Sequence, residues 1–209
     1  MAEQANERDM QQVAEEVTGC TLCELSRSRN HAVPGEGNIQ TRIMFVGEGP
    51  GWHEDQQGRP FVGNAGKFLN ELLAKAGLQR EDVFITNVVK CRPPGNRDPL
   101  PDEIEACSTY LERQMKAIDP DVVVTLGRFS MAKFFPGERI SRIHGQAKKM
   151  GHRLIVPMYH PAAALHQASL RGAIEDDFAK LPKILADAEH DRETASARAE
   201  PAADQMTLF

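Results

Sequence analysis

Residues 42–77 read RIMFVGEGPGWHEDQQGRPFVGNAGKFLNELLAKAG and join an apolar run to an amphipathic segment through a long, glycine-rich linker. The run 42–46 has the length and composition of a fully buried strand, and the segment that ends at Gly77 has the periodicity of a helix. In open α/β sheets, ligands bind beyond the carboxyl ends of the strands, where the linker 47–66 would lie. We therefore expect this linker to form part of a binding site.

The linker 47–66 contains more charged and aromatic side chains than a connecting loop requires. It contains two separated carboxylates, Glu48 and Glu54, and a phenylalanine, Phe61, that can stack on a flat ring. Two nucleotide-binding motifs do not fit it. A dinucleotide fingerprint has glycines that run directly into the helix, which a proline interrupts here, and a P-loop has Ser or Thr after its lysine, where Phe68 stands. A purely structural loop remains the alternative.

Apolar runs alternate with helical patterns along the rest of the chain. Four runs have the character of strands: residues 42–46, 82–89, 121–127 and 153–159. This alternation predicts an α/β protein, a three-layer α/β/α fold with a central, mainly parallel four-stranded sheet. The loops after the first, second and fourth strands would then meet at one edge of the sheet.

The domain organisation is simple. We expect one domain over residues 1–188, closed by a helix at about residues 170–188, and a disordered acidic tail over residues 189–209. No apolar stretch approaches the roughly 18 residues of a membrane span, and the N-terminus lacks the regions of a signal peptide. We therefore expect a cytoplasmic, nucleoid-associated monomer without a membrane partner.

The net charge of −5 is unevenly distributed. Residues 1–17 and 187–209 each carry a net charge of −4, so residues 18–186 carry +3. Residues 139–174 contain no acidic side chain and six Lys or Arg side chains. A field of this sign suits a phosphate backbone, and an ordinary solvated basic face is the alternative.

Four cysteines are spaced C-x2-C-x67-C-x15-C, at Cys20, Cys23, Cys91 and Cys107. In a cytosolic protein such cysteines are more often metal ligands than disulfide partners. Four thiolates complete a tetrahedral zinc site or hold an iron-sulfur cubane. The spacing alone favours zinc, because structural zinc sites are commoner in small cytosolic domains, and four unrelated buried thiols remain a third interpretation.

Several motifs together resemble the family 4 uracil-DNA glycosylases of the uracil-DNA glycosylase superfamily. They are GEGPGWHEDQQGRPFVG at 47–63, ITNVVKCRPPGNR at 85–97, HPAAAL at 160–165 and the four-cysteine spacing. The resemblance covers about residues 18–188 and implies a monofunctional enzyme that removes uracil from single- and double-stranded DNA. It also implies a 4Fe-4S cluster on the four cysteines, in place of zinc.

The resemblance implies how uracil would be read. Phe61 would stack on the base, and a backbone N–H such as that of Gly49 would bind a carbonyl oxygen. The amide of Asn87 can accept a hydrogen bond from N3–H and donate one to O4, a pattern that cytosine does not offer. His160 would donate to O2 as negative charge builds on the departing base.

Glu48 is the preferred residue for positioning or deprotonating water, and Glu54 is the second candidate or a wall that excludes the methyl group of thymine. Further residues would contact DNA: Arg92, Asn96 and Arg97 through phosphates and Leu165 as a wedge in the vacated stack. The chain departs from the family pattern at Trp52 and His53, where small or acidic residues are expected. This departure leaves the substrate range and the DNA contacts open.

Two other functions stay open at this point. One is a non-catalytic, metal-containing module that binds DNA lesions, although binding alone does not need paired carboxylates. The other is a glycosylase for other deaminated bases.

The C-terminal residues QMTLF resemble the short peptide by which bacterial repair proteins bind the DNA sliding clamp. Gln205 would be its polar anchor, and Leu208 and Phe209 would enter an apolar pocket of the partner. The alternative is a tail whose last residues pack on the body of the protein.

Overall fold

One six-stranded sheet organises the computed structural model of the chain, which describes residues 2–199. The strands are β1 Glu36–Gly37, β2 Ile43–Gly47, β3 Phe84–Asn87, β4 Val122–Leu126, β5 Lys148–Met150 and β6 Arg153–Met158. Their order across the sheet is β1-β3-β2-β4-β6-β5. The four central strands are parallel, which confirms the predicted α/β class and the mainly parallel sheet.

The two edge strands, β1 and β5, were not predicted, so the expected four-stranded sheet has six strands. Both pair antiparallel with their neighbours, β1 with β3 and β5 with β6. They are two and three residues long and contain polar or glycine residues, so they leave no apolar run in the sequence.

Helices cover both faces of the sheet and connect its strands. In the described part of the chain they are α1 Ala2–Gly19, α2 Leu25–Ser28, α3 Trp52–Gln57, α4 Asn64–Lys75, α5 Pro101–Ile118, α6 Arg128–Ala132, α7 Ile140–Ile143, α8 Ala162–His166, α9 Leu170–Phe178 and α10 Leu181–Ala199. Short 3-10 turns stand at Arg80–Asp82 and Pro94–Asn96.

Side chains that alternate along the central strands divide the core into two layers. Phe45 packs with α4, α9 and α10 on one face of the sheet, whereas Met44 packs with α1 and α5 on the other. The central strands are buried on both faces, as parallel strands between two helix layers are. Burial of both faces fixes the register and therefore the direction in which the strand ends point.

The strand β3 is shorter than the predicted run 82–89. It ends at Asn87, which is paired with Gly47 at the end of β2. The next two residues still donate from their backbone N–H groups to Gly47 and Glu48, but the chain then turns away. The ends of β2 and β3 thus lie side by side, and their loops begin at the same point.

The C-terminal region differs from the prediction. The expected helix at 170–188 is two helices, because Pro182 cannot extend a preceding helix and instead occupies the first turn of α10. Residues 189–199, predicted as part of a disordered tail, are helical and rich in good helix formers. Gln205, Leu208 and Phe209 lie outside the described residues. Within those residues, every helix is too short or too polar to cross a bilayer.

Candidate active site

A pocket of about 380 Å³ opens at the carboxyl edge of the sheet, where the loops after β2, β3 and β6 converge. It contains eight of the residues that the sequence singles out: Glu48, Gly49, Glu54, Phe61, Asn87, Asn96, Arg97 and His160. These residues come from three separate sequence segments, so their meeting depends on the parallel sheet that places the three loops together.

Two predicted DNA-contacting residues do not line the pocket. Leu165 lies on α8 and is 51% exposed, one residue before the pocket-lining His166. Arg92 lies outside the pocket and donates through Nε to Asn96 at 2.7 Å. Arg97 does line the pocket, but its guanidinium is bound to both carboxylate oxygens of Glu103 at 2.6 and 2.9 Å. Any phosphate contact of Arg97 therefore has to be shared with that carboxylate.

The side-chain oxygen of Asn87 is buried in the pocket without a hydrogen-bond donor. Asn87 is 1% exposed, and its Oδ1 has no hydrogen-bond partner. A buried amide oxygen without a partner is costly in a folded protein, and such atoms are rare. Here the oxygen belongs to a pocket-lining side chain, so a ligand that donates a hydrogen bond would complete its bonding.

A buried lysine, which the sequence analysis did not single out, holds the backbone beneath this amide. The Nζ of Lys90 donates to the Asn87 carbonyl at 2.8 Å, to Gln114 at 2.7 Å and to Thr86 at 2.6 Å. Burial lowers the pKa of Lys90 to about 8. A lysine at the end of the apolar run ITNVV was the available signal, since such a position is buried and needs polar partners.

The absence of a side chain at Gly47 makes room for the two groups that would contact a flat ligand. A Cβ there would stand 2.3 Å from Asn87 Oδ1 and 2.8 Å from two ring carbons of Phe61. Phe61 itself has a φ of 51°, a left-handed conformation that non-glycine residues rarely adopt. Strained backbone of this kind clusters at functional sites, where the surrounding structure enforces it.

His160 lies two residues beyond the end of β6, beside the ring of Phe61. The two ring centroids are 5.4 Å apart and their planes are inclined by 24°. Burial lowers the pKa of His160 to about 4, so the imidazole is neutral near pH 7. Its Nδ1 lies 3.1 Å from the backbone N–H of Ala162 and accepts a hydrogen bond from it. The proton of the neutral ring therefore resides on Nε2, which makes Nε2–H a donor.

Glu48 is the first residue after β2 and lines the pocket. Its Oε1 accepts a hydrogen bond from the backbone N–H of Phe129 at 3.1 Å, at the beginning of α6. Gly127 allows this approach, because a Cβ there would lie 2.4 Å from Glu48 Oε1. Burial raises the pKa of Glu48, although hydrogen bonds from the backbone of Phe129 and Arg128 oppose the shift. A carboxylate with a raised pKa is suited to accept a proton from water.

The carboxylate of Glu54 is bound very differently. Its Oε2 accepts from the N–H of Gly51 at 3.1 Å, and its Oε1 accepts from the N–H groups of Val62 and Gly63 at 2.9 Å each. Both oxygens are therefore used to hold the linker, including the start of α4. Glu54 thus binds three backbone groups across the linker and also lines the pocket, and its catalytic role stays a prediction.

The four cysteines surround a second, separate cavity beneath the N-terminal helix α1, together with apolar side chains. Within residues 2–199, no three His, Cys, Asp or Glu side chains converge as ligands of a single metal ion. The thiols instead ring a space and are free of disulfides. Burial raises the pKa of Cys107 to about 11 and also raises the pKa of Cys23 and Cys91.

Hydrogen-bond donors are directed at this ring of sulfur atoms. Nη1 of Arg29 lies 3.0 Å from Cys91 Sγ, and the backbone N–H of Lys90 lies 3.3 Å from Cys107 Sγ. Such donors stabilise thiolates and are a regular feature of sulfur-ligated metal centres. The donor set thus fits a group that binds four thiolates around a cavity.

Comparison with known proteins places this geometry in a wider context. The model of the family described as "Uracil DNA glycosylase superfamily" matches residues 34–187. A type-4 uracil-DNA glycosylase of Saccharolobus solfataricus is 49% identical over 83% of this chain and 85% of its own. Proteins of the same name from Archaeoglobus fulgidus and Thermotoga maritima are each 46% identical, over 82% and 84% of this chain and 91% and 94% of their own.

Proposed function

The chain belongs to the uracil-DNA glycosylase superfamily, and we propose from that premise that it hydrolyses the N-glycosidic bond of uracil in DNA, which leaves an abasic site and begins base excision repair. The observation that carries the proposal is the unpaired, buried amide oxygen of Asn87 in the pocket. Single- and double-stranded DNA that contains uracil are the proposed substrates.

The pocket supports a specific reading of the base. A glycosylase acts on a base that has been flipped out of the stack. The free Oδ1 of Asn87 would accept from uracil N3–H while its Nδ2 donates to O4, and Phe61 would stack on the ring. The backbone N–H of Gly49, which also lines the pocket, is available for a carbonyl oxygen. Cytosine carries an acceptor at N3 and a donor at N4, so it would face this amide with the wrong pattern.

Bond cleavage needs two further groups. As the bond between C1′ and the base nitrogen breaks, its electron pair moves onto uracil, and the Nε2–H of neutral His160 would donate to O2. Glu48 would position a water and accept its proton as the oxygen bonds to C1′, and its charge would stabilise the cationic sugar. Glu54 holds the loop that carries both Glu48 and Phe61.

Contacts in addition to those with the base would position the DNA. Arg92 and Asn96, which bind each other, would contact phosphates, and Arg97 would do so in the shared arrangement described above. The exposed Leu165 would fill the gap that the flipped nucleotide leaves.

Incubation of the full chain with single- and double-stranded oligonucleotides tests the activity. The substrates carry uracil, hypoxanthine or a G·T mismatch, and abasic sites are cleaved afterwards with alkali. Uracil release is expected. Release of hypoxanthine without release of uracil would favour a glycosylase for another deaminated base. Binding of the oligonucleotides without release of any base would favour a non-catalytic module.

We also propose that a 4Fe-4S cluster binds to Cys20, Cys23, Cys91 and Cys107, with zinc as the alternative occupant. The thiols of all four cysteines line one cavity, and four thiolates are the ligand set of a 4Fe-4S cluster. The group would tie α1 to the loop after β3 and the start of α5 and so stabilise the fold. Anaerobically purified protein should be brown, with absorption near roughly 400 nm and about four irons per chain. Stoichiometric zinc in a colourless protein would contradict this.

The QMTLF terminus supports a further interaction, with the bacterial sliding clamp through Gln205, Leu208 and Phe209. A tethered enzyme would reach a higher effective concentration on newly copied DNA. Deletion of residues 205–209 should leave uracil release from a free oligonucleotide intact and abolish co-elution with the clamp. Failure of the intact chain to bind the clamp in micromolar titrations would remove this proposal.

A further inference from the structure

The indole of Trp52 is exposed next to the pocket. Trp52 is the first residue of α3 and follows Gly51, which lines the pocket. Its side chain is 52% exposed, and it is the single tryptophan of the chain. Burying an aromatic side chain of this size gains much free energy, so a half-exposed one beside a binding site indicates a surface that a ligand covers.

The backbone that carries this indole is held firmly. Glu54 binds the N–H of Gly51 on one side and those of Val62 and Gly63 on the other. The indole also meets the imidazole of His53 edge to face, with 4.9 Å between the ring centroids and 85° between the planes. Trp52 is thus a preoriented platform, which loses little conformational entropy when a flat group stacks on it.

Exposed apolar side chains stand on all three of the segments that form the pocket, and one of them, Leu100, is 47% exposed and follows the pocket-lining Pro99. Leu165 projects from α8, whose neighbouring residues line the pocket, and Trp52 projects from the start of α3. A nucleic-acid strand that delivers one nucleotide into the pocket has neighbouring nucleotides at its mouth. In single-stranded DNA, those neighbours have unpaired bases with free faces.

We propose that Trp52 stacks on an unpaired base next to the flipped deoxyuridine in the same strand and so favours single-stranded DNA. This inference rests on the proposed uracil-DNA glycosylase function. Stacking of a base on an aromatic side chain contributes about 1 to 3 kcal/mol per base. The gain is smaller in a duplex, because the neighbouring base is already stacked on its own partners and would exchange one stack for another.

Three variants of the full chain test the proposal: Trp52→Ala, Trp52→Phe and, as control, Met150→Ala. Met150 is an exposed apolar residue that pairs with Arg153, at the amino end of β6 and away from the pocket. The kcat and KM for uracil release are measured on one sequence as a single strand and as a duplex. For Trp52→Ala we expect KM on the single strand to rise roughly 5- to 150-fold, with a clearly smaller rise on the duplex. Trp52→Phe should recover part of the loss.

The control and the comparison of substrates decide the outcome. Met150→Ala should match the wild type on both substrates. Equal losses on both substrates with Trp52→Ala would overturn the proposal, because they would indicate a general disturbance of the loop. Unchanged kinetics of Trp52→Ala on the single strand would overturn it as well, while uracil release by the wild type would leave the proposed function standing.

Fluorescence gives a readout that does not depend on catalysis, since all indole emission comes from Trp52. A single strand that carries an abasic analogue with flanking bases should quench this emission as it binds. The same strand with abasic analogues at both neighbouring positions should bind with far less quenching. Equal quenching by both strands would show that no neighbouring base stacks on the indole.

Discussion

Replacement of Asn87 by aspartate tests how the pocket recognises uracil. The two side chains have nearly the same shape, but a carboxylate can accept hydrogen bonds and cannot donate them. In Asn87→Asp, one oxygen would still accept from N3–H, whereas the other would face O4 of uracil and repel it. The backbone at residue 87 stays held in the variant, because the ammonium group of Lys90 binds the carbonyl oxygen of that residue at 2.8 Å.

The size of the effect follows from the burial of the site. Asn87 is 1% exposed, so water cannot replace the lost hydrogen bond to O4. A buried polar group left badly paired costs about 2 to 3 kcal/mol, which corresponds to a fall of roughly 30- to 150-fold in kcat/KM for uracil. Cytosine, which offers a donor at N4, should suffer less, so the preference for uracil over cytosine should narrow.

The assay is single-turnover release of uracil from a labelled single strand, with a matched cytosine strand and a thermal melt of each protein. Asn38→Asp is the control, because Asn38 is exposed and lies away from the pocket, near the amino end of the sheet. It should behave as the wild type. If Asn87→Asp folds and retains wild-type kcat/KM and selectivity, another residue reads the base and this account of the pocket is wrong.

Three further outcomes follow from the pocket. In Glu48→Gln, the side chain can no longer accept a proton, so kcat should fall about 10²- to 10⁴-fold with little change in KM in steady-state assays. The free energy of unfolding, measured in urea titrations, should decrease by about 1 to 3 kcal/mol as the pH falls from 6.5 towards 4, because the imidazole of His160 is protonated in the unfolded chain and not in the folded one. In His160→Gln, the free energy of unfolding should depend less steeply on pH over this range. Gly47→Ala should lower the free energy of unfolding in urea titrations by about 1 to 3 kcal/mol and remove uracil binding, because the new Cβ would collide with Asn87 Oδ1. The control Gly172→Ala, whose Cβ would lie in open space on a helix, should not lower the free energy of unfolding.

The sequence was sufficient for the parallel core and for most of the pocket. Fully buried strands are long apolar runs, and the polar residues that follow them are forced to one edge by the parallel arrangement, so Glu48, Asn87 and His160 could be placed together in advance. The edge strands could not be predicted in this way. They are short, and their pairing depends on the neighbouring strands more than on their own side chains.

Distinctions between similar groups also required the structure. Glu48 and Glu54 are both acids in one linker, and composition cannot tell that Glu54 binds the backbone of the linker itself whereas Glu48 binds the start of α6. The tautomer of His160 likewise depends on a contact with the backbone of Ala162. The helical continuation to residue 199 was hidden by an acidic, alanine-rich composition that suits a tail as well as a helix.

The three backbone hydrogen bonds to Glu54 also determine when the conformational entropy of the linker is lost. They join Gly51 to Val62 and Gly63 through one carboxylate, so the segment 51–63 is ordered when the protein folds. An unordered linker would have to lose this freedom each time a substrate bound, at a cost of about 1 kcal/mol or more per residue. Because the linker is ordered in advance, the free energy gained from DNA contacts remains available for pulling the nucleotide out of its stack.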